Sequence, residues 1–139
     1  MNPYVAYKKQ SLSTMTPIEV ILKIYGECEK QLHRSINYIN SKEYAQAHNS
    51  LNLSAELINA LRSVLNMEVG EISNNLDSLY EFFHKQIIQA DMKKDVTIIE
   101  EILPQICELK DAFMQISKLP REGVVAQQGS ILSNTGLNS

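Results

Sequence analysis

The chain has 139 residues, 44% of them apolar and 21% charged, which suits one domain whose core needs no metal or disulfide. Its net charge of −3 argues against a nucleic-acid partner, because phosphate binding requires a basic surface. No apolar run approaches the roughly 18–20 residues that cross a bilayer, so no membrane insertion is expected.

The first predicted helix begins after Thr16, where Thr16-Pro17-Ile18-Glu19 has the residues of a helix start. Thr16 can cap the helix, Pro17 suits its first position, and Glu19 stands where a capping box requires it. Apolar residues then follow at alternating spacings of three and four, which predicts an amphipathic helix. Its stripe consists of Ile18, Ile21, Tyr25, Cys28, Leu32, Ile36 and Ile39.

The second predicted helix, from about Lys42 to Leu65, has more apolar surface than one neighbouring helix covers. Two apolar stripes at helical spacing join into an arc of roughly 200°, whereas an ordinary surface helix needs one only somewhat wider than about 100°. The inner stripe consists of Ala47, Leu51, Ile58, Leu61 and Leu65, and the second stripe of Leu53, Leu57, Ala60 and Val64.

The third predicted helix follows a loop around Glu68-Val69-Gly70, with Ser73 as a suitable cap, and reaches about Met92. Phe82 and Ile88 lie off the centre of its seam and add apolar surface outside it. The seam consists of Leu76, Tyr80, Phe83, Ile87 and Ala90, with Leu79 beside it.

The fourth predicted helix begins near Asp95 or Thr97 and ends near Lys118. Pro104 lies inside it, removes one backbone donor, and is expected to kink the helix or loosen its first turns. The inner stripe is Ile99, Ile102, Ile106, Leu109, Phe113 and Ile116.

Four helices of roughly 20–24 residues joined by short loops predict an all-α fold, an antiparallel up-down four-helix bundle, over residues 16–118. Residues 1–15 mix apolar with polar side chains, which predicts an N-terminal strap that packs on the bundle. Residues 119–139 are rich in Gly, Ser, Asn and Gln, which predicts a flexible C-terminal tail. The strap residues of interest are Tyr4, Tyr7 and Leu12.

No catalytic or metal-binding pattern is found in the sequence. None of His33, His48 and His84 belongs to a Glu-x-x-His pair, and HExxH, CxxC and Walker motifs are absent. We therefore predict no enzyme activity, no cofactor and no metal. Cys28 and Cys107 fall in helical apolar patterns, which predicts buried, reduced thiols. A histidine phosphotransfer domain stays an alternative, with His33 or His84 as formal candidates.

Several short motifs follow one another along residues 4–118. They are Ala6-Tyr7-Lys8-Lys9, Thr16-Pro17 with Ile24-Tyr25-Gly26, Leu79-Tyr80-Glu81-Phe82 with Gln89-Ala90-Asp91 and Lys94-Asp95, and Lys110-Asp111-Ala112-Phe113. In this order and spacing they resemble the FliS family of flagellin-specific export chaperones. The chain departs from the family pattern where Phe113 stands for a usual Trp, Lys110 for Arg, and Asp91 for Asn.

The resemblance implies a cytoplasmic chaperone of flagellar type III export. Such a protein binds the disordered C-terminal segment of flagellin as helices laid around the bundle and prevents premature polymerisation. Export-gate components are a further class of partner that the resemblance leaves open. The excess apolar surface is an independent physical reason to expect such a client. The expected flagellin-binding residues are Leu53, Leu57, Ala60, Val64, Phe82 and Ile88.

Three alternatives remain open at this stage. The strap either covers part of the client surface until flagellin displaces it or completes the bundle core. The second stripe either faces a client or packs only on the strap and the neighbouring helices. A generic helical scaffold or homo-oligomeric bundle would bury the same apolar surface by self-association.

Overall fold

In the computed structural model, the described residues are 15–68 and 74–119, with side chains described for 15–64 and 75–119. They form four α-helices and no strand, which confirms the predicted all-α fold. The predicted strap and flexible tail lie outside the described residues, apart from positions 15 and 119. The helices are α1 (Pro17–Asn40), α2 (Tyr44–Glu68), α3 (Asn74–Lys93) and α4 (Val96–Ser117).

Side-chain caps define the starts of α1 and α4. Thr16 Oγ1 accepts a hydrogen bond from the backbone N–H of Glu19 at 3.3 Å, as predicted. Asp95 caps α4, because its Oδ1 accepts from the backbone N–H of Thr97 at 2.9 Å. The first turns of α4 are regular helix, and the helix runs unbroken through Pro104, whose ring is exposed. A bend at Pro104 stays a prediction.

The turns after α1 and α3 each place a lysine in the left-handed conformation, with φ of 60° at Lys42 and 49° at Lys94. In each turn, the next backbone N–H reaches back to a carbonyl of the preceding helix. Glu43 N donates to Tyr38 O at 2.8 Å, and Asp95 N donates to Ala90 O at 3.1 Å. These bonds satisfy carbonyls that a helix end leaves without partners. The predicted start of α2 near Lys42 is therefore wrong by two positions, because Lys42 belongs to the turn.

Each helix packs mainly against two others: α1 contacts α2 and α4, and α3 contacts the same two. The contacts are most extensive between α1 and α2 and sparsest between α3 and α4. Arg62 pairs with Asp77 and His48 pairs with Asp91, so α2 and α3 run in opposite directions. The complete up-down order of all four helices stays a prediction.

The core is largely apolar, but it also buries the hydroxyls of Tyr25 and Tyr80 and the side chains of Ser35 and Ser54. Tyr25 and Tyr80 are both fully buried, and their hydroxyl oxygens lie 2.5 Å apart. The Tyr25 ring lies 5.7 Å from the Phe113 ring, centroid to centroid. The pair therefore connects α1 with α3, and the ring contact connects α1 with α4.

Candidate partner-binding surface

The second apolar stripe of α2, called here the α2 stripe, consists of Leu53, Leu57, Ala60 and Val64. Leu53, Ala60 and Val64 are half-buried and pack against the edge of the core, whereas Leu57 is only 7% exposed. A partner lying on this flank would therefore contact the first three side chains, with Leu57 as the floor beneath them. The opposite face of α2 is polar and exposed, as the sequence predicts, at His48, Asn52, Glu56, Asn59 and Ser63.

A polar cleft of about 330 Å³ opens between α1 and α2 at one end of this stripe. Leu53 belongs to both features, so the apolar stripe continues directly into the cleft. Sequence analysis did not single out the polar residues of the cleft. The sequence pattern that could have indicated these residues is a run of polar residues along one flank of α1, beside its apolar stripe. The cleft is lined by Glu27, Lys30, Gln31, Arg34, Asn49, Ser50 and Leu53.

The floor of the polar cleft is made of buried polar side chains. Gln31 and Ser50 are each only 6% exposed. Gln31 Nε2 donates to Glu27 Oε1 at 3.0 Å, and Lys30 Nζ lies 3.8 Å from the other oxygen of the same carboxylate. Within the described part of the chain, neither the Ser50 hydroxyl nor the Arg34 guanidinium makes a hydrogen bond. Both groups are therefore available to a ligand.

Phe82 and Ile88 are 43% and 39% exposed, and they lie on different flanks of α3. Ile88 follows the helical spacing of Asp77 and Asp91, the two residues that pair with α2. Phe82 lies on the other flank, towards α4, near the half-buried Leu79. The structure thus does not bring all six predicted binding residues together. One straight client helix cannot contact the α2 stripe, Phe82 and Ile88 at once.

The histidines do not form a site with other ligating residues of the described ranges. His33 is exposed, His84 is half-buried, and His48 is engaged with Asp91. Among the described residues, no group of three or more His, Cys, Asp and Glu side chains could hold a metal ion. None of the described helices is both long and apolar enough to span a membrane.

Residues 1–120 match the model of the family described as Flagellar protein FliS. The chain belongs to the FliS family. The relative from Bacillus subtilis, named Flagellar secretion chaperone FliS, is 26% identical over 121 residues, covering 87% of this chain and 90% of the relative. Relatives of the same name from Vibrio cholerae and Salmonella typhimurium are 32% and 24% identical, covering 80% and 78% of this chain and 85% and 82% of their own lengths. The chain is accordingly a flagellar secretion chaperone and not an enzyme.

The motifs that resemble the FliS family supply contacts between helices. The aromatic residues Tyr25, Tyr80 and Phe113 meet in the core. Asp91 lies at the end of α3, 2.6 Å from His48 Nδ1 of α2 and 2.5 Å from Lys94 Nζ of the following turn. Although partial burial acts to raise the pKa of Asp91, the hydrogen bonds with Lys94 and His48 lower it below its ordinary value. The charged carboxylate therefore links α2, α3 and the turn before α4.

A second FliS motif residue, Lys110, joins α4 to α1. Lys110 Nζ donates to Glu29 Oε2 at 2.8 Å, and the Cys107 thiol donates to Oε1 of the same carboxylate at 3.1 Å. The hydrogen bond from Lys110 holds the pKa of Glu29 below its ordinary value. Cys28 is buried as predicted, but the prediction for Cys107 is wrong, because that thiol is only half-buried. It lies on the flank of α4 that faces Glu29, beside the apolar stripe and not within it.

Proposed function

We propose that this FliS family protein binds the disordered C-terminal segment of flagellin in the cytoplasm. The segment would be held as helices around the bundle, which prevents premature polymerisation before export. The observation that carries this proposal is the α2 stripe, an apolar flank that stays partly exposed and runs into a cleft. Amphipathic helices bind such surfaces through apolar residues at helical spacing.

The separation of the predicted contacts supports a client that wraps around the protein. Ordering a disordered segment costs roughly 2–5 kcal/mol, and apolar burial returns only about 25 cal/mol per Å². A short helix on the α2 stripe alone would therefore give weak binding. Further client helices over Ile88 and over Phe82 would add the area that a stable complex needs.

The N-terminal strap, residues 1–15 with Tyr4, Tyr7 and Leu12, is proposed to cover part of this surface in the free protein. Removing those residues should then raise the affinity for flagellin, because the client no longer competes with them. An unchanged affinity in a truncated protein of unchanged thermal stability would contradict the competition. Export-gate components remain proposed as additional partners that engage the loaded chaperone.

Substitution of Leu53 tests the main proposal most directly. Leu57→Glu is unsuitable, because Leu57 is buried and the charge would destabilise the core. Leu53→Glu should weaken binding of the flagellin C-terminal segment about 10- to 100-fold, since it places a charge in a desolvated apolar contact. Asn52→Glu is the matched control, because Asn52 is the adjacent exposed residue on the polar face.

Isothermal titration calorimetry measures both affinities, and circular dichroism checks the fold. If Leu53→Glu binds the segment as tightly as Asn52→Glu does, the α2 stripe is not the client surface. Light scattering over a range of concentrations distinguishes the chaperone from a homo-oligomeric scaffold, because only the scaffold self-associates through this surface. Self-association that Leu53→Glu abolishes would assign the stripe to a second copy of this chain.

A further inference from the structure

We propose that the polar cleft between α1 and α2 binds the C-terminal carboxylate of the client helix that lies on the α2 stripe. This inference rests on the proposed function, because a C-terminal client segment ends in a free carboxylate. It goes further in assigning a ligand group to the cleft and a direction to the bound helix. The groups that would contact the carboxylate are Arg34, Ser50 and Lys30.

The cleft has hydrogen-bonding groups that make no hydrogen bond with the described residues. Ser50 is buried yet its hydroxyl has no partner within residues 15–64 and 75–119. A buried polar group without a partner is unfavourable, so a ligand that bonds to it gains stability. Gln31 uses its amide nitrogen to bond to Glu27, so this side chain is already engaged within the cleft. The carboxylate at a peptide end can accept from the Ser50 hydroxyl and from the Arg34 guanidinium together.

The charges in the cleft favour an anion. Glu27 is engaged by Gln31 and Lys30, so its negative charge is balanced within the cleft. Arg34 lies beside them with no ion pair in the described part of the chain, and it adds one positive charge. A guanidinium binds a carboxylate through two parallel hydrogen bonds. The carbonyl end of a helix also carries partial negative charge, so the same charges favour the C-terminal end of a client helix.

The geometry of the stripe then fixes the direction of that helix. Ser50 and Val64 are 14 positions apart on α2. At about 1.5 Å per residue, this distance is about 20 Å, which a client helix of about four turns would span. With its carboxylate in the cleft, the client helix runs from Val64 towards Ser50. It is therefore antiparallel to α2.

Two peptides of the flagellin C-terminal segment test the inference, one ending in a free acid and the other in an amide. The wild-type protein should bind the acid about tenfold more tightly than the amide, since only the acid forms the charge-assisted pair. Arg34→Gln should weaken binding of the acid by a similar factor and leave the amide unaffected. Lys23→Gln is the control, because Lys23 lies on the same helix about three turns from Arg34 and does not line the cleft.

The outcomes separate this inference from the proposed function. Equal affinity of the wild-type protein for acid and amide overturns the carboxylate site while the client-binding function stands. A preference for the acid that Lys23→Gln removes and Arg34→Gln retains overturns the assigned direction. Loss of amide binding in Arg34→Gln would assign the contact to an acidic client side chain and overturn the proposal. Failure of the wild-type protein to bind either peptide removes the proposed function as well.

Discussion

Removing one hydroxyl of the buried Tyr25–Tyr80 pair should destabilise the bundle more than removing both. The two oxygens lie 2.5 Å apart and both side chains are fully buried. Burial raises the pKa of both phenols, so both stay protonated at neutral pH. Tyr25→Phe leaves the Tyr80 hydroxyl without its partner, and Tyr80→Phe does the converse.

The magnitude follows from the cost of a buried polar group that has lost its hydrogen bond. Each single substitution should lower the free energy of unfolding by about 1–3 kcal/mol, which is the desolvation penalty of the remaining hydroxyl. The double substitution leaves no hydroxyl unpaired and should cost at most about 1 kcal/mol. If each single variant loses about 2 kcal/mol, the middle of that range, the coupling energy between the two sites is at least about 3 kcal/mol, well above the few tenths expected for independent positions.

Urea denaturation of the wild type, both single variants and the double variant measures the four stabilities in one cycle. In thermal melts the single variants should lose roughly 3–10 °C, for a domain of this size. Tyr38→Phe is the control for the loss of a hydroxyl, because Tyr38 is half-buried and lies outside the pair, and it should change the stability little. If the double variant loses the sum of the two single losses, the hydroxyls are not coupled and the reasoning fails.

Three further predictions concern the turns and the α1–α4 contact. Lys42→Gly should stabilise the protein by about 1 kcal/mol in urea denaturation, because glycine adopts a positive φ without strain. Lys94→Gly should gain less, because it also loses the hydrogen bonds to Asp91; equal gains would contradict the role given to those bonds. The pKa of Glu29 is lowered on folding, so its contribution is present above about pH 4.3 and is lost as pH falls through the folded value. The difference in free energy of unfolding between wild type and Glu29→Gln should accordingly shrink as the pH falls from about 5 to about 3. A constant difference would contradict the lowered pKa of Glu29. Burial and the hydrogen bond to Glu29 raise the pKa of Cys107 to about 11. Cys107 should therefore react with iodoacetamide on the order of a hundredfold more slowly than a free cysteine at neutral pH, and faster in Glu29→Gln; a rate equal to that of free cysteine would contradict the hydrogen bond.

The helices could be predicted from the sequence because their signals are local. Thr16 and Pro17 mark the start of α1 at the position where the structure has it. The wide apolar arc of α2 was visible from spacing alone, and the polar residues opposite it are exposed. The core positions of α3 and α4 followed from the same periodicity. These features depend on one helix at a time, so no knowledge of neighbouring helices was needed.

Features that depend on two helices could not be predicted in the same way. The polar cleft exists because Gln31 and Arg34 of α1 lie opposite Ser50 of α2. The register between the two helices cannot be predicted from the sequence of either helix alone. Cys107 was expected in the core because its neighbours are apolar, yet the position of Glu29 across the interface decides its surroundings. The burial of Leu57 likewise depends on its surroundings in the bundle. A helical wheel places Leu57 on the same stripe as Leu53 and Val64, but it cannot show which of these side chains a neighbouring helix covers.

Because the four helices pack unequally, local opening should cost more free energy in the α1–α2 half of the bundle than in the α3–α4 half. The α1–α2 seam is the most extensive, so the flank that carries the α2 stripe is held in place before any client arrives. The α3–α4 seam is the sparsest, and Pro104 deprives α4 of one backbone bond. Local opening is least costly where few contacts are lost. Amide hydrogens of α3 and α4 should therefore exchange with solvent before those of α1 and α2, and a client helix reaching Phe82 would meet a surface able to adjust to it.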